Sequence, residues 1–131
     1  MIIDGKKESL ELREKIKKEI ILLKKKNNKI PKLSVILIGE YPPSQIYVKN
    51  KEKISKEVGI ESDVIKYSDN VTEEEIISKI DELNNNEDIS GILVQLPLPK
   101  HIDKEKIVNR INPLKDVDGF NPINVGNLAS G

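Results

Sequence analysis

The chain has 131 residues, 37% apolar and 34% charged, with 22 Lys+Arg against 22 Asp+Glu. One globular domain with a real core fits these numbers, and a formal net charge of zero argues against a nucleic-acid or anionic-membrane surface, which needs a basic excess. The absence of cysteine and the single histidine, His101, exclude thiolate and histidine-cluster metal sites. No apolar run approaches the roughly 20 residues of a membrane span, and Asp4 follows too soon after Met1 for a signal peptide. A cytoplasmic protein is expected.

The first helix is predicted from about Glu8 to Lys26, with Leu12, Ile16, Ile20 and Leu23 at helical spacing. The run Leu33 to Ile38 follows as a strand stopped by Gly39. Pro42 and Pro43 lead into a second helix from Ser44 to Val58, ended by Gly59. Asp63 to Tyr67 reads as a short strand, and Thr72 with Glu75 forms a capping-box pattern ahead of Ile76, Ile77, Ile80 and Leu83. Ile92-Leu93-Val94 is a continuous apolar strand, as expected where both faces are covered. Asp103 caps a short helix carrying Ile107, Val108 and Ile111. This alternation predicts an α/β fold of three layers, helix/sheet/helix, around a mainly parallel sheet. Ligands bind beyond the carboxyl ends of such strands, which directs attention to Gly39 through Ser44 and to Gln95 through Pro99.

The second helix carries the most informative residue. At about 100° per residue, Tyr47, Val48, Ile54 and Val58 share one side, and Lys49, Asn50, Glu52, Lys53, Lys56 and Glu57 the other. Lys51 projects from the apolar stripe, one turn after Tyr47 and flanked by Ser44 and Ser55. Lost hydration disfavours an ammonium, and a lysine tuned towards neutrality serves as a general acid or base. Spacing alone leaves open a Lys51 that sits at the rim and extends its ammonium into water. Gln95 closes the third strand, either as a site residue or as a side chain satisfying turn backbone before Pro97. Asp116 and Asp118 lie in a segment whose Asp-Gly reads as a turn, and His101 reads as surface loop without a role. Leu96-Pro97-Leu98-Pro99 is compatible with a cis peptide.

In series, these segments resemble the bifunctional methylenetetrahydrofolate dehydrogenase/methenyltetrahydrofolate cyclohydrolase family. The matching pieces are Ile3 to Lys6, Val35 to Gly39, Ser44 to Lys51, Val58 to Ile60, Gly91 to Pro99, Pro113 to Phe120 and Asn124 to Leu128. The Tyr/Lys helix, the Gln-Leu-Pro turn and the Asp-Val-Asp-Gly loop, in order, are the specific part. Departures are small: Ile54-Ser55 stands where Ala-Cys or Ala-Ala is commoner, and Pro43 where alanine is.

The resemblance implies a catalytic role for Lys51 in proton transfer and water activation at the one-carbon bridge. It implies that Tyr47 packs on the folate and orients that lysine, that Gln95 positions and tunes it, and that Asp118 anchors the pterin, whose ring N–H groups suit a carboxylate. The implied reactions are oxidation of 5,10-methylenetetrahydrofolate with NADP and hydrolysis of the 5,10-methenyl product to 10-formyltetrahydrofolate. No metal is implied.

Family members continue into a Rossmann-type domain that binds NADP. The seven glycines of this sequence make no G-x-G-x-x-G fingerprint. Residues 1–120 are therefore expected to form the folate-binding catalytic domain, and 121–131 the start of a helix connecting to the cofactor domain. The isolated chain is expected to lack dehydrogenase activity and to be monomeric or weakly associated, whereas the full-length protein is expected to be a homodimer. Two other classes compete: a non-catalytic small-molecule-binding α/β module, in which Lys51 is a rim residue, and a receiver-like regulatory domain. The latter needs an acidic cluster after the first strand, where Gly39-Glu40-Tyr41 supplies one carboxylate.

Overall fold

A computed structural model describes residues 4–131; Ile3, which opens the first matching motif, lies outside them. Helix α1 spans Gly5–Asn27. It starts before the expected Glu8 because the Asp4 carboxylate caps it, accepting the N–H groups of Lys6 and Lys7. Asn28 ends it in the left-handed region at φ 51°. Its apolar stripe is only partly used: Ile20 is buried, but Leu12 and Leu23 remain largely exposed, since α1 packs chiefly against the next helix and not on the sheet.

Strand β1, Lys32–Ile38, is central in a parallel sheet of order β2-β1-β3, with β2 at Glu61–Tyr67 and β3 at Gly91–Val94. β2 begins two residues before the expected Asp63. Glu61 and Ser62 carry no apolar signal and become strand by pairing with Lys32 and Leu33. Side chains alternate across the sheet. Val35, Leu37 and Leu93 meet Val48 of α2 (Pro42–Val58) on one face. On the other, Ile36, Ile38, Ile92 and Val94 pack with Ile76, Ile80 and Leu83 of α3 (Glu73–Asn85) and Ile107 of α4 (Lys104–Arg110). The three layers are those the alternation predicts.

The helix ends follow local chemistry. α2 tolerates Pro42 and Pro43 because its first turn needs no intrahelical N–H, and it stops at Gly59, φ 92°. Both halves of the Thr72–Glu75 capping box form, and Asp103 caps α4. A further helix, α5, spans Pro122–Ser130 behind an Asn121 cap and buries none of its residues.

Candidate active site

The buried stripe of α2 consists of Ser44, Val48, Ser55 and Val58. Lys51 falls in its middle by helical spacing and is half-buried. Its Nζ donates to Gln95 Oε1 at 2.9 Å, across 44 residues of sequence. Tyr47 differs from the expectation: it lies beside the buried stripe and is 57% exposed. Its ring centroid is 6.0 Å from Lys51 Nζ, at the outer limit of a cation–π contact.

Gln95 directly follows β3, and its backbone N–H still reaches back to the Ile36 carbonyl at 2.9 Å. Its side-chain orientation is determined from both ends. Nε2 donates to the Leu96 carbonyl at 2.9 Å, leaving Oε1 for Lys51. Buried Ser44, at the start of α2, donates to the same carbonyl at 3.3 Å, tying the lysine helix to the glutamine turn. The Leu96–Pro97 peptide is cis.

Asp118 lies in the segment after α4. The residue is exposed, yet its carboxyl has enough protein around it that burial raises its pKa above the ordinary value; the charge of Asp116 adds to this and that of Lys51 opposes it. Lys51 thus acts on Asp118 through its charge, and direct contacts join Lys51 with Gln95 and Tyr47. Val117, beside Asp118, and Phe120, two residues on, are about half-exposed.

Sequence reasoning missed the groups that hold this loop. Asp116 accepts from the N–H of Gly119 (3.1 Å), the N–H of Asn121 (2.8 Å) and Asn124 Nδ2 (2.9 Å). Lys115 Nζ donates to the carbonyls of Leu83, Asn84 and Asn86 at 2.7–2.9 Å, closing the carboxyl end of α3. The Asp-x-x-Gly spacing was the available signal for Asp116; nothing in the sequence pointed to Lys115. His101 is exposed in a loop as expected, but its Nε2 lies 2.8 Å from the Val71 carbonyl and links two loops. An opening of about 680 Å³ lies at the ends of β1 and β2, lined in part by Gly39, Gln45 and Asp69. None of the four proposed site residues lines it.

Burial works to raise the pKa of Asp116, but the hydrogen bonds from Asn121, Asn124, Phe120 and Gly119 outweigh it and hold the carboxyl below its ordinary 3.8. A folded-state pKa below the unfolded one stabilises the fold above 3.8, and this contribution is lost as pH falls from there through the folded value. Wild type is therefore expected to lose stability on acidification in that window more steeply than Asp116→Asn, measured by urea unfolding at a series of pH values. Equal slopes would show that these bonds do not favour the charged form.

The sequence pattern of the tetrahydrofolate dehydrogenase/cyclohydrolase catalytic domain matches residues 3–118. This chain belongs to that family. It is 62% identical over 131 residues to the bifunctional protein FolD of Pelagibacter ubique, covering all of this chain and 47% of that protein. The crystal structure of FolD methylenetetrahydrofolate dehydrogenase/cyclohydrolase from Campylobacter jejuni superposes with a TM-score of 0.93 at 47% identity, covering 95% of this chain and 44% of that one. The Trypanosoma brucei dehydrogenase-cyclohydrolase, solved with NADP and an inhibitor, gives 0.93 at 36% identity, covering 98% and 43%. The chain spans about half the length of the FolD relatives it matches.

Proposed function

We propose that this family member supplies the folate side of a bifunctional enzyme that oxidises 5,10-methylenetetrahydrofolate and hydrolyses the 5,10-methenyl product to 10-formyltetrahydrofolate. The observation that carries the reading is the 2.9 Å bond from Lys51 Nζ to Gln95 Oε1, with Asp118 in electrostatic reach. The fixed amide oxygen of Gln95 sets where the Lys51 nitrogen sits. In hydrolysis, water attacks the cationic one-carbon bridge and Lys51 takes the first water proton, returning it to the ring nitrogen as the bond from that nitrogen to carbon breaks; the remaining hydroxyl proton leaves to solvent as the formyl C=O forms. Exposed Tyr47 offers a ring face for stacking, and the Asp118 carboxylate accepts the pterin N–H groups. No step in this scheme requires a metal.

NADP is the proposed hydride acceptor, and the described residues do not fit it. Phosphates favour helix N-termini with free N–H groups. Here α1, α3, α4 and α5 are capped by their own side chains, and α2 opens on two prolines. Gly39, after β1, has the Asp69 carboxylate where a Cβ would sit, so that carboxylate fills the space a phosphate would need. The cofactor is therefore assigned to a second, Rossmann-type domain beyond residues 1–120, joined through 121–131. Residues 1–131 alone then do not transfer hydride. The full-length protein is proposed to be a cytoplasmic homodimer of one-carbon metabolism. Among the described residues, no helix is long and apolar enough to cross a membrane.

Full-length protein given 5,10-methylenetetrahydrofolate and NADP is expected to yield reduced cofactor and 10-formyltetrahydrofolate; formation of neither rejects the function. In the same assay Asp118→Asn is expected to weaken folate binding about 10- to 100-fold, as for loss of hydrogen bonds to a charged group. Unchanged affinity would remove Asp118 from the site.

A further inference from the structure

We infer that Asp116 is a positioning residue that holds Asp118 at the folate site, acting through the backbone of residues 116–121 without touching substrate. The inference rests on the reading of Asp118 as the folate anchor. Asp116 Oδ1 accepts the Gly119 N–H, and Oδ2 accepts the Asn121 N–H and Asn124 Nδ2. The turn that contains Asp118 is thus wrapped around a single carboxylate whose two oxygens are both engaged. Gly119, the residue after Asp118, sits at φ 68°, a left-handed conformation that glycine adopts without strain.

The carboxylate is itself held in place relative to the catalytic groups. Asp116 forms a parallel bridge with Ile92, and the Ile92 N–H donates to the Lys115 carbonyl at 2.7 Å. Ile92 belongs to β3, three residues before Gln95. The Lys115 ammonium secures the same segment to the end of α3. Asn124 reaches from α5 to both Asp116 and the Pro113 carbonyl, at 2.9 Å each. The backbone position of Asp118 is therefore set by a chain of contacts from β3 through Asp116. Asn at position 116 would place an amide donor against one set of loop donors, so at least one side of the turn would open.

The test is a cycle in the full-length enzyme comprising wild type, Asp116→Asn, Asp118→Asn and the double variant, with KM and kcat for the folate substrate. Asp116→Asn is expected to raise KM roughly tenfold with kcat changed much less, and to add nothing to KM in the Asp118→Asn background, because residues that act through one another are not additive. Asn124→Ala, which removes one donor and leaves the carboxylate, keeps the test open if Asp116→Asn does not fold. It is expected to raise KM less, with the increase again vanishing beside Asp118→Asn. Additive effects, or an unchanged KM in both the Asp116 and Asn124 variants, overturn the inference while leaving Asp118 as anchor. An Asp118→Asn enzyme with wild-type KM overturns the anchor reading and this inference with it.

Discussion

Replacing Lys51 with methionine is expected to lower both the oxidation and the hydrolysis rates of the full-length enzyme by about 10²–10⁴-fold, the usual contribution of a positioned proton-transfer group. Methionine keeps the unbranched stem beside Tyr47 and removes only the nitrogen that donates to Gln95. Folding, followed by circular dichroism, should be unchanged and folate affinity altered only a few-fold. Lys49→Met, on the exposed side of α2, is the matched control and should retain wild-type rates. If Lys51→Met kept its activity within a few-fold, the lysine would be a rim residue and the non-catalytic binding module would be the better account.

The largest effect on stability is expected from Ile80→Ala, at about 2–5 kcal/mol. Ile80 is fully buried, and its cluster includes Ile36 and Ile92 from two strands and Ile107 from α4, so the space left cannot collapse from one side. That loss is a large share of the roughly 5–15 kcal/mol that holds a domain folded. Urea unfolding should show a lower midpoint with an unchanged slope. Leu114→Ala, at a position 91% exposed, should stay within about 0.5 kcal/mol of wild type. A cost below about 1 kcal/mol for Ile80→Ala would mean that α3 does not pack on the sheet as described.

Much of the layer architecture was legible because its signals are local. The apolar runs of β1 and β3 announce strands, that of β3 one covered on both faces, and Thr72 with Glu75 announces the start of α3 in four residues. The failures occur where pairing or caps decide. The start of β2 depends on Lys32 across the sheet, and the start of α1 on the Asp4 carboxylate. Lys51 was legible as a misfit on its stripe, but its partner Gln95 came only from the family resemblance, since periodicity says nothing about which side chain waits 44 residues away. Asp116 looked like an ordinary turn former because its function is to accept hydrogen bonds from neighbours, which leaves no mark beyond the Asp-x-x-Gly spacing. Asp118, Tyr47 and Gln95 were singled out by family resemblance more than by any physical signature of their own.

The parallel sheet has a consequence for when this site comes into being. Lys51 is carried by the crossover between β1 and β2, and Gln95 directly follows β3, which the next crossover places on the far side of β1. Each such crossover closes a long loop before its contacts repay the entropy. The lysine–glutamine bond therefore forms only once α2 is packed on the sheet and β3 has paired with β1. Partly folded species that retain α1 and α3 would keep about half of the helical residues with no organised lysine.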